Sequence, residues 1–145
     1  MTTTTPSLGL AFEMAFAAHQ GQYDKAGVPY ITHLVRVACG VDGQEAQTVA
    51  LLHDIVEDTE MSLERLSATF TTRIVEAVDA ITKRQGEAYD VYLRRVRANP
   101  LALEVKRADM TDNSDPERLA RLDPAKRAQL EAKYTAARAI LAENE

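Results

Sequence analysis

The segment Ala50-Leu-Leu-His-Asp-Ile-Val-Glu-Asp-Thr59 sets one imidazole and three carboxylates close together, between His53 and Asp58. Wound as a helix at about 100° per residue, His53, Asp54, Glu57 and Asp58 fall within an arc of about 140°. Leu51, Leu52, Ile55 and Val56 fill the complementary arc. Acidic groups this close repel one another unless positive charge sits among them. A divalent cation is the economical answer, and the His-Asp pair supplies adjacent nitrogen and oxygen donors suited to Mn, Fe or Zn. The competing account is an amphipathic helix with a solvated acidic face and a histidine packed at its edge. Two residues elsewhere weigh against that account. His33 follows a loop in Pro29-Tyr-Ile-Thr-His33, and Asp109 ends the apolar-basic run Leu103-Glu-Val-Lys-Arg-Ala-Asp109. With His53 and Asp54 they form a set, drawn from three separate helices, that can occupy four positions around one ion.

Those helices must exist for the set to converge, and the chain's periodicity predicts them. Leu8, Ala11, Phe12, Ala15 and Phe16 recur at helical spacing over Leu8 to His19. Two glycines and a proline mark Gly21 to Pro29 as a loop. Further helices are predicted from about Ile31 to Cys39, from Glu45 to Glu57 (the most apolar of them) and from Leu63 to Phe70 behind a Ser62 cap. Others run from Thr71 or Thr72 to about Lys83, from Tyr89 to Ala98, and from Pro100 to about Asp109. Asp112 to Asp123 reads as irregular and acidic. Asp123-Pro124 opens the last helix, with Leu130, Tyr134, Ala137 and Leu141 on its apolar stripe. No strand or hairpin signal stands out. The prediction is an all-α single domain over residues 7–145, preceded by a disordered threonine-rich start, Met1 to Pro6.

Composition narrows the function classes. At 145 residues the chain is long enough to bury one core without disulfides. A net charge of −5 argues against a nucleic-acid binder, which needs a basic face, but leaves room for a phosphorylated small molecule met by a local cluster of cations. No apolar run reaches the roughly 18 residues of a membrane span, and no signal peptide opens the chain. A cytoplasmic location is expected. The single cysteine, Cys39, lies among Val35, Val37 and Ala38 and is expected to be a buried, inert thiol.

The blocks Ala18-His-Gln-Gly-Gln22, Gly27-Val-Pro-Tyr-Ile-Thr-His33, Ala50 to Thr59, Val78-Asp-Ala-Ile-Thr82 and Ala108-Asp-Met-Thr-Asp-Asn113 occur in this order along most of the chain. In them the sequence resembles the HD-type metal phosphohydrolases, specifically the hydrolase domain of RelA/SpoT proteins and their small stand-alone alarmone hydrolase relatives. The resemblance implies an all-helical HD-type bundle. It also implies one divalent ion, usually manganese, held by His33, His53, Asp54 and Asp109. Glu57 and Asp58 match the acidic pair that positions and deprotonates the attacking water. Lys25 and Asn113 match nucleotide contacts, and Tyr134 is placed to stack on the base. A pyrophosphate-bearing substrate also needs cations near the metal. Lys83, Arg84 and Lys106 are the candidates, with Tyr89, Tyr92 and Arg95 on a helix bordering the pocket.

The chain departs from the family pattern where the base is recognised. Asp24 stands where a basic residue is usual, Leu34 replaces a proline, and Met110-Thr-Asp-Asn-Ser-Asp-Pro116 is longer and more acidic than usual. Asp24, Asp112 and Asp115 are expected to weaken polyanion binding unless they face away. The implied activity is removal of the 3′-pyrophosphate from guanosine tetra- or pentaphosphate, by hydrolysis alone. Two alternatives stay open: another phosphorylated nucleotide, such as an adenosine alarmone or phosphorylated dinucleotide, and a non-catalytic nucleotide-binding module. Oligomeric state is not legible.

Overall fold

Side-chain caps and prolines fix where the helices begin. Ser62 Oγ accepts from Arg65 N–H, Thr71 Oγ1 from Ile74 N–H, Asn99 Oδ1 from Ala102 N–H and Asp123 Oδ1 from Lys126 N–H. Pro100, Pro116 and Pro124 follow at first-turn positions, where their missing N–H costs nothing. The structure, a computed structural model, describes residues 7–143; the threonine-rich start expected to be disordered lies outside them. In order the helices are α1 (Ser7–Ala18), α2 (Ile31–Cys39), α3 (Gln44–Leu52), α4 (Ile55–Asp58) and α5 (Leu63–Ser67). They continue with α6 (Thr72–Ile81), α7 (Tyr89–Arg97), α8 (Pro100–Asn113), α9 (Pro116–Leu119) and α10 (Pro124–Leu141). Among the described residues there is no strand, only an isolated bridge between Tyr23 and Pro29. The predicted all-α class holds.

α3 is the axis of the bundle. Ala46, Thr48, Val49, Ala50, Leu51 and Leu52 are all buried, so the helix presents apolar surface almost all the way round. It packs against α1, α2, α6 and α8, while α10 closes over α7 and α8.

Three expectations are corrected. The predicted helix from Glu45 to Glu57 is interrupted at His53 and Asp54 and resumes as α4. His53 Nδ1 donates to the Ala50 carbonyl at 2.6 Å, the acceptor that an unbroken helix offers to the Asp54 N–H. Side chain competes with backbone, and the helix yields. Second, α8 does not stop at Asp109 but runs to Asn113, and α9 forms inside the stretch expected to be irregular. Third, Cys39 is exposed rather than buried. α2 buries His33, Leu34 and Val37; two residues beyond Val37 is about 200° round the helix, on its solvent side.

Candidate metal centre and nucleotide cavity

The start of α2, the end of α3 and the C-terminal half of α8 bring three donors together. One ligand atom from each of His33, His53 and Asp109 lies within 4.8 Å of the others, and all three residues are buried. His33 Nε2 is 2.9 Å from Asp109 Oδ1, and His53 Nε2 is 3.2 Å from the same oxygen. Asp54, at the helix break, places Oδ2 3.2 Å from His53 Nε2 and accepts a hydrogen bond from the Tyr30 hydroxyl. It lies beside the three-residue cluster rather than within it.

The outer nitrogens of both rings show what the inner ones offer. His33 Nδ1 meets Asp112 Oδ2 at 2.6 Å, and His53 Nδ1 meets the Ala50 carbonyl at 2.6 Å. Both partners only accept, so each Nδ1 carries a proton, and each Nε2, which faces Asp109, is the nitrogen left to take a second proton or a cation. At such distances from a carboxylate oxygen, each Nε2 must carry a proton or share a cation with it. The ionisation pattern states the same demand. Burial opposes a charged His53, yet Asp54 and Asp109 outweigh it and hold the ring up to about 9. Burial likewise opposes ionised Asp109, but Lys106, His53 and His33 keep its carboxyl well below the usual range. A divalent cation taking the place of those protons fits this donor set, and His33, His53 and Asp109 could hold one.

Around this centre Asp109 acts as a hub: Lys106 Nζ pairs with Oδ2 at 3.0 Å, and Asn113 Nδ2 donates to Oδ1 at 3.1 Å. Asp112 is a second hub. Besides His33 it receives Arg36 Nε at 2.7 Å and Arg118 Nη1 at 2.7 Å, and Arg118 Nη2 reaches Asp24 Oδ2 at 3.3 Å. Asp24 Oδ1 in turn accepts from Ala26 N–H (2.8 Å) and Val28 N–H (3.0 Å), in a turn that Gly27 permits with φ of 81°. Two of the three aspartates expected to repel a polyanion, Asp24 and Asp112, are therefore turned onto arginines, a histidine and backbone donors, and the third, Asp115, lines a different groove. Asp112, Arg36 and Arg118 form the layer that sequence reasoning missed. The sequence carried no signal for most of these contacts, because His33 and Arg36 lie 79 and 76 residues from Asp112, and Arg118 lies 94 from Asp24.

Glu57 and Asp58 sit on α4, exposed. Glu57 Oε1 accepts the Lys83 N–H at 2.8 Å, which ties α4 to the end of α6. Burial, Asp54 and Glu57 push the Asp58 carboxyl up to about 6, against the pull of His53. Its ionised form is thus costly in the fold while metal is absent. The cost is nil below the unfolded value near 3.8, grows as pH rises, and is complete above about 6. In chelator, Asp58→Asn is expected to raise the melting temperature at pH 7.5, with the gain shrinking toward pH 5. A gain equal at both pH values would refute this origin.

A cavity of about 320 Å³ adjoins the centre through Tyr30 and Asn113, and Lys25 and Tyr134 also line it with Asp24 and Arg118. Lys25, Asn113 and Tyr134 are thus brought to one space. Lys83, Arg84 and Lys106 do not line it: Lys83 contributes its N–H to Glu57, Arg84 pairs with Asp79 at 3.3 Å, and Lys106 is taken by Asp109. Tyr92 and Arg95 are structural, the first donating to the Ile81 carbonyl at 2.6 Å and the second to the carbonyls of Asp79, Ala80 and Thr82. A larger groove of about 720 Å³ along α2 and α8 holds none of the three donors.

Residues 11–111 match the HD domain family, and the chain belongs to that family. It is 36% identical over 132 residues to a probable GTP pyrophosphokinase of Mycobacterium leprae, covering 82% of this chain and 16% of that protein. It is 43% identical over 70 residues to a guanosine-3′,5′-bis(diphosphate) 3′-pyrophosphohydrolase of Haemophilus influenzae, covering 46% of this chain and 10% of that one. The chain thus spans less than a fifth of the length of these relatives. Its fold is shared with a solved structure described as a metazoan ortholog of SpoT that hydrolyzes ppGpp, with TM-score 0.78 and 21% identity over 100% of this chain and 90% of the other. No helix of the described residues is long and apolar enough to cross a membrane.

Proposed function

We propose that this chain is a metal-dependent phosphohydrolase that removes the 3′-pyrophosphate of guanosine tetra- or pentaphosphate in the cytoplasm, giving GDP or GTP and pyrophosphate. The observation that carries the reading is the buried His33–His53–Asp109 donor cluster opening, through Asn113, onto a cavity lined by Lys25 and Tyr134. His33, His53 and Asp109, with Asp54 beside them, hold the ion. Manganese is our assignment, in keeping with the mixed nitrogen and oxygen donors. When bound, such an ion polarises a phosphoryl oxygen and acidifies water.

The chain's own residues do the rest. Glu57, fixed by the Lys83 N–H, orients the water, and Asp58 accepts its proton, its ordinarily low carboxyl value raised toward neutrality by its surroundings. The water oxygen joins phosphorus, the bond from that phosphorus to the ribose 3′-oxygen breaks, and the freed 3′-oxygen takes a proton. Lys106, held at Asp109, offsets that carboxylate's charge beside the metal centre. Lys25 and Asn113 hold the nucleotide while Tyr134 flanks the base.

Asp24, standing where a basic residue is usual, would favour an adenosine alarmone if its charge were bare, but it is engaged by Arg118 and the loop backbone. Manganese-loaded protein incubated with guanosine tetraphosphate is expected to release pyrophosphate stoichiometrically with GDP. No release at micromolar enzyme would overturn the assignment. Release from an adenosine analogue at an equal rate would overturn the base preference.

A further inference from the structure

His19 and Gln22, from the turn that follows α1, lie outside both the donor cluster and the lining of the nucleotide cavity. Gln22 is pinned by its main chain: its N–H donates to the His19 carbonyl at 3.1 Å, and its carbonyl accepts the Tyr30 N–H at 2.9 Å. From that fixed point its side-chain amide donates to the Asp58 carbonyl at 3.2 Å, across 36 residues of chain. The contact orients the amide. A carbonyl only accepts, so Gln22 Nε2 faces Asp58 and Oε1 faces His19 Nδ1, 2.8 Å away. His19 Nδ1 is therefore the donor of that bond. The ring is buried, stands 5.3 Å between centroids from Tyr30, and has an Nε2 with no partner among the described residues. A buried polar atom without a partner costs stability. What an imidazole offers here that an apolar side chain does not is one bond, the one that holds the Gln22 amide.

α4 needs such a hold. Its four residues are far short of the roughly 12–15 at which a helix begins to stand alone, so tertiary contacts decide where its acids point. The carbonyls of a last helical turn also lack partners within the helix, and the Asp58 carbonyl is one of them. Glu57 is tied to the end of α6 by the Lys83 N–H, and Asp58 to the turn after α1 by Gln22. We propose that His19 and Gln22 are positioning residues for Asp58: the imidazole fixes the amide, and the amide fixes the backbone from which the proton-accepting carboxylate extends. This rests on the proposed hydrolase reading and adds to it, because neither residue has a part in the steps given there.

Gln22→Met keeps the side chain's length and removes both bonds. With manganese and guanosine tetraphosphate its kcat should fall about 10- to 100-fold, as for a catalytic group displaced by about 1 Å, with KM and metal content unchanged. His19→Asn and His19→Leu separate positioning from packing. Asparagine sets an N–H close to where Nδ1 stood but leaves a void, so kcat should stay within about threefold of the parent while the melting temperature falls. Leucine is near the ring in volume and removes the orphaned nitrogen, so it should melt like the parent and still lose kcat as Gln22→Met does. A purely structural role predicts the reverse order. Hydrogen exchange in chelator reads the tie without turnover. The Asp58 and Thr59 amides, bonded to the Asp54 and Ile55 carbonyls, should exchange about tenfold faster in Gln22→Met. In a parent that hydrolyses the tetraphosphate, an unchanged kcat in Gln22→Met would overturn the positioning role, as would His19→Leu outpacing His19→Asn. A raised KM, lost metal or unchanged exchange in Gln22→Met would overturn it equally. No pyrophosphate release by the parent would remove the hydrolase reading, and the catalytic role of the pair with it, while faster exchange would keep the tie to α4.

Discussion

Asp109→Asn is expected to abolish both metal retention and turnover. Asp109 Oδ1 lies against both histidine Nε2 atoms, and Oδ2 holds Lys106. An asparagine keeps the shape but loses the charge that makes the site a cation receptor. Loss of a bound ion's charge stabilisation, worth several kcal/mol at the transition state, corresponds to at least about a 10³-fold fall in rate. A second effect accompanies the first. Lys106, mostly buried beside the Tyr92 ring, is left without its carboxylate, and breaking a buried pair from one side costs about 3 kcal/mol or more. Metal analysis after manganese loading, pyrophosphate release and melting in chelator measure the three consequences separately. Full metal content with a rate within tenfold of the parent would show that the ion is held elsewhere.

Glu57→Gln has the opposite profile: a large loss of rate with nothing else disturbed. The amide oxygen still accepts the Lys83 N–H, so the tie between α4 and α6 survives and the melting temperature should not move. Glu57 is outside the donor cluster, so metal content should also match the parent. What disappears is a carboxylate able to orient and polarise water, and removing a group in acid–base catalysis costs about 10²–10⁴-fold in kcat. A kcat within about threefold of the parent would end the role given to Glu57. A loss of metal would move it into the ligand set.

Much of this arrangement was legible from residue type and order, and the parts that were not share a physical cause. Helix starts followed from Ser62, Thr71, Pro100 and Asp123-Pro124, because caps and prolines are local chemistry. His33, His53 and Asp109 could be grouped because the chain has only three histidines and because imidazole and carboxylate donors suit one ion. The break at His53 was hidden because Leu51, Leu52, Ile55 and Val56 keep helical spacing straight through it. Only the His53 side chain, reaching back to the Ala50 carbonyl, interrupts the ladder. Asp112 read as a liability because charge in a sequence has sign but no direction. Its partners His33 and Arg36 lie 79 and 76 residues away. Cys39 was misjudged from its apolar neighbours, when its angular position on α2 decided the matter.

That outward-facing thiol gives the molecule a natural point of attachment. It is the chain's one cysteine, so a fluorine tag or nitroxide will label it without mutagenesis. Six residues of helix separate it from His33, a rise of about 9 Å. Manganese(II) is paramagnetic, and at that range its electron spin broadens a fluorine resonance. Occupancy of the centre can then be followed in the intact protein, in real time and without any substrate present.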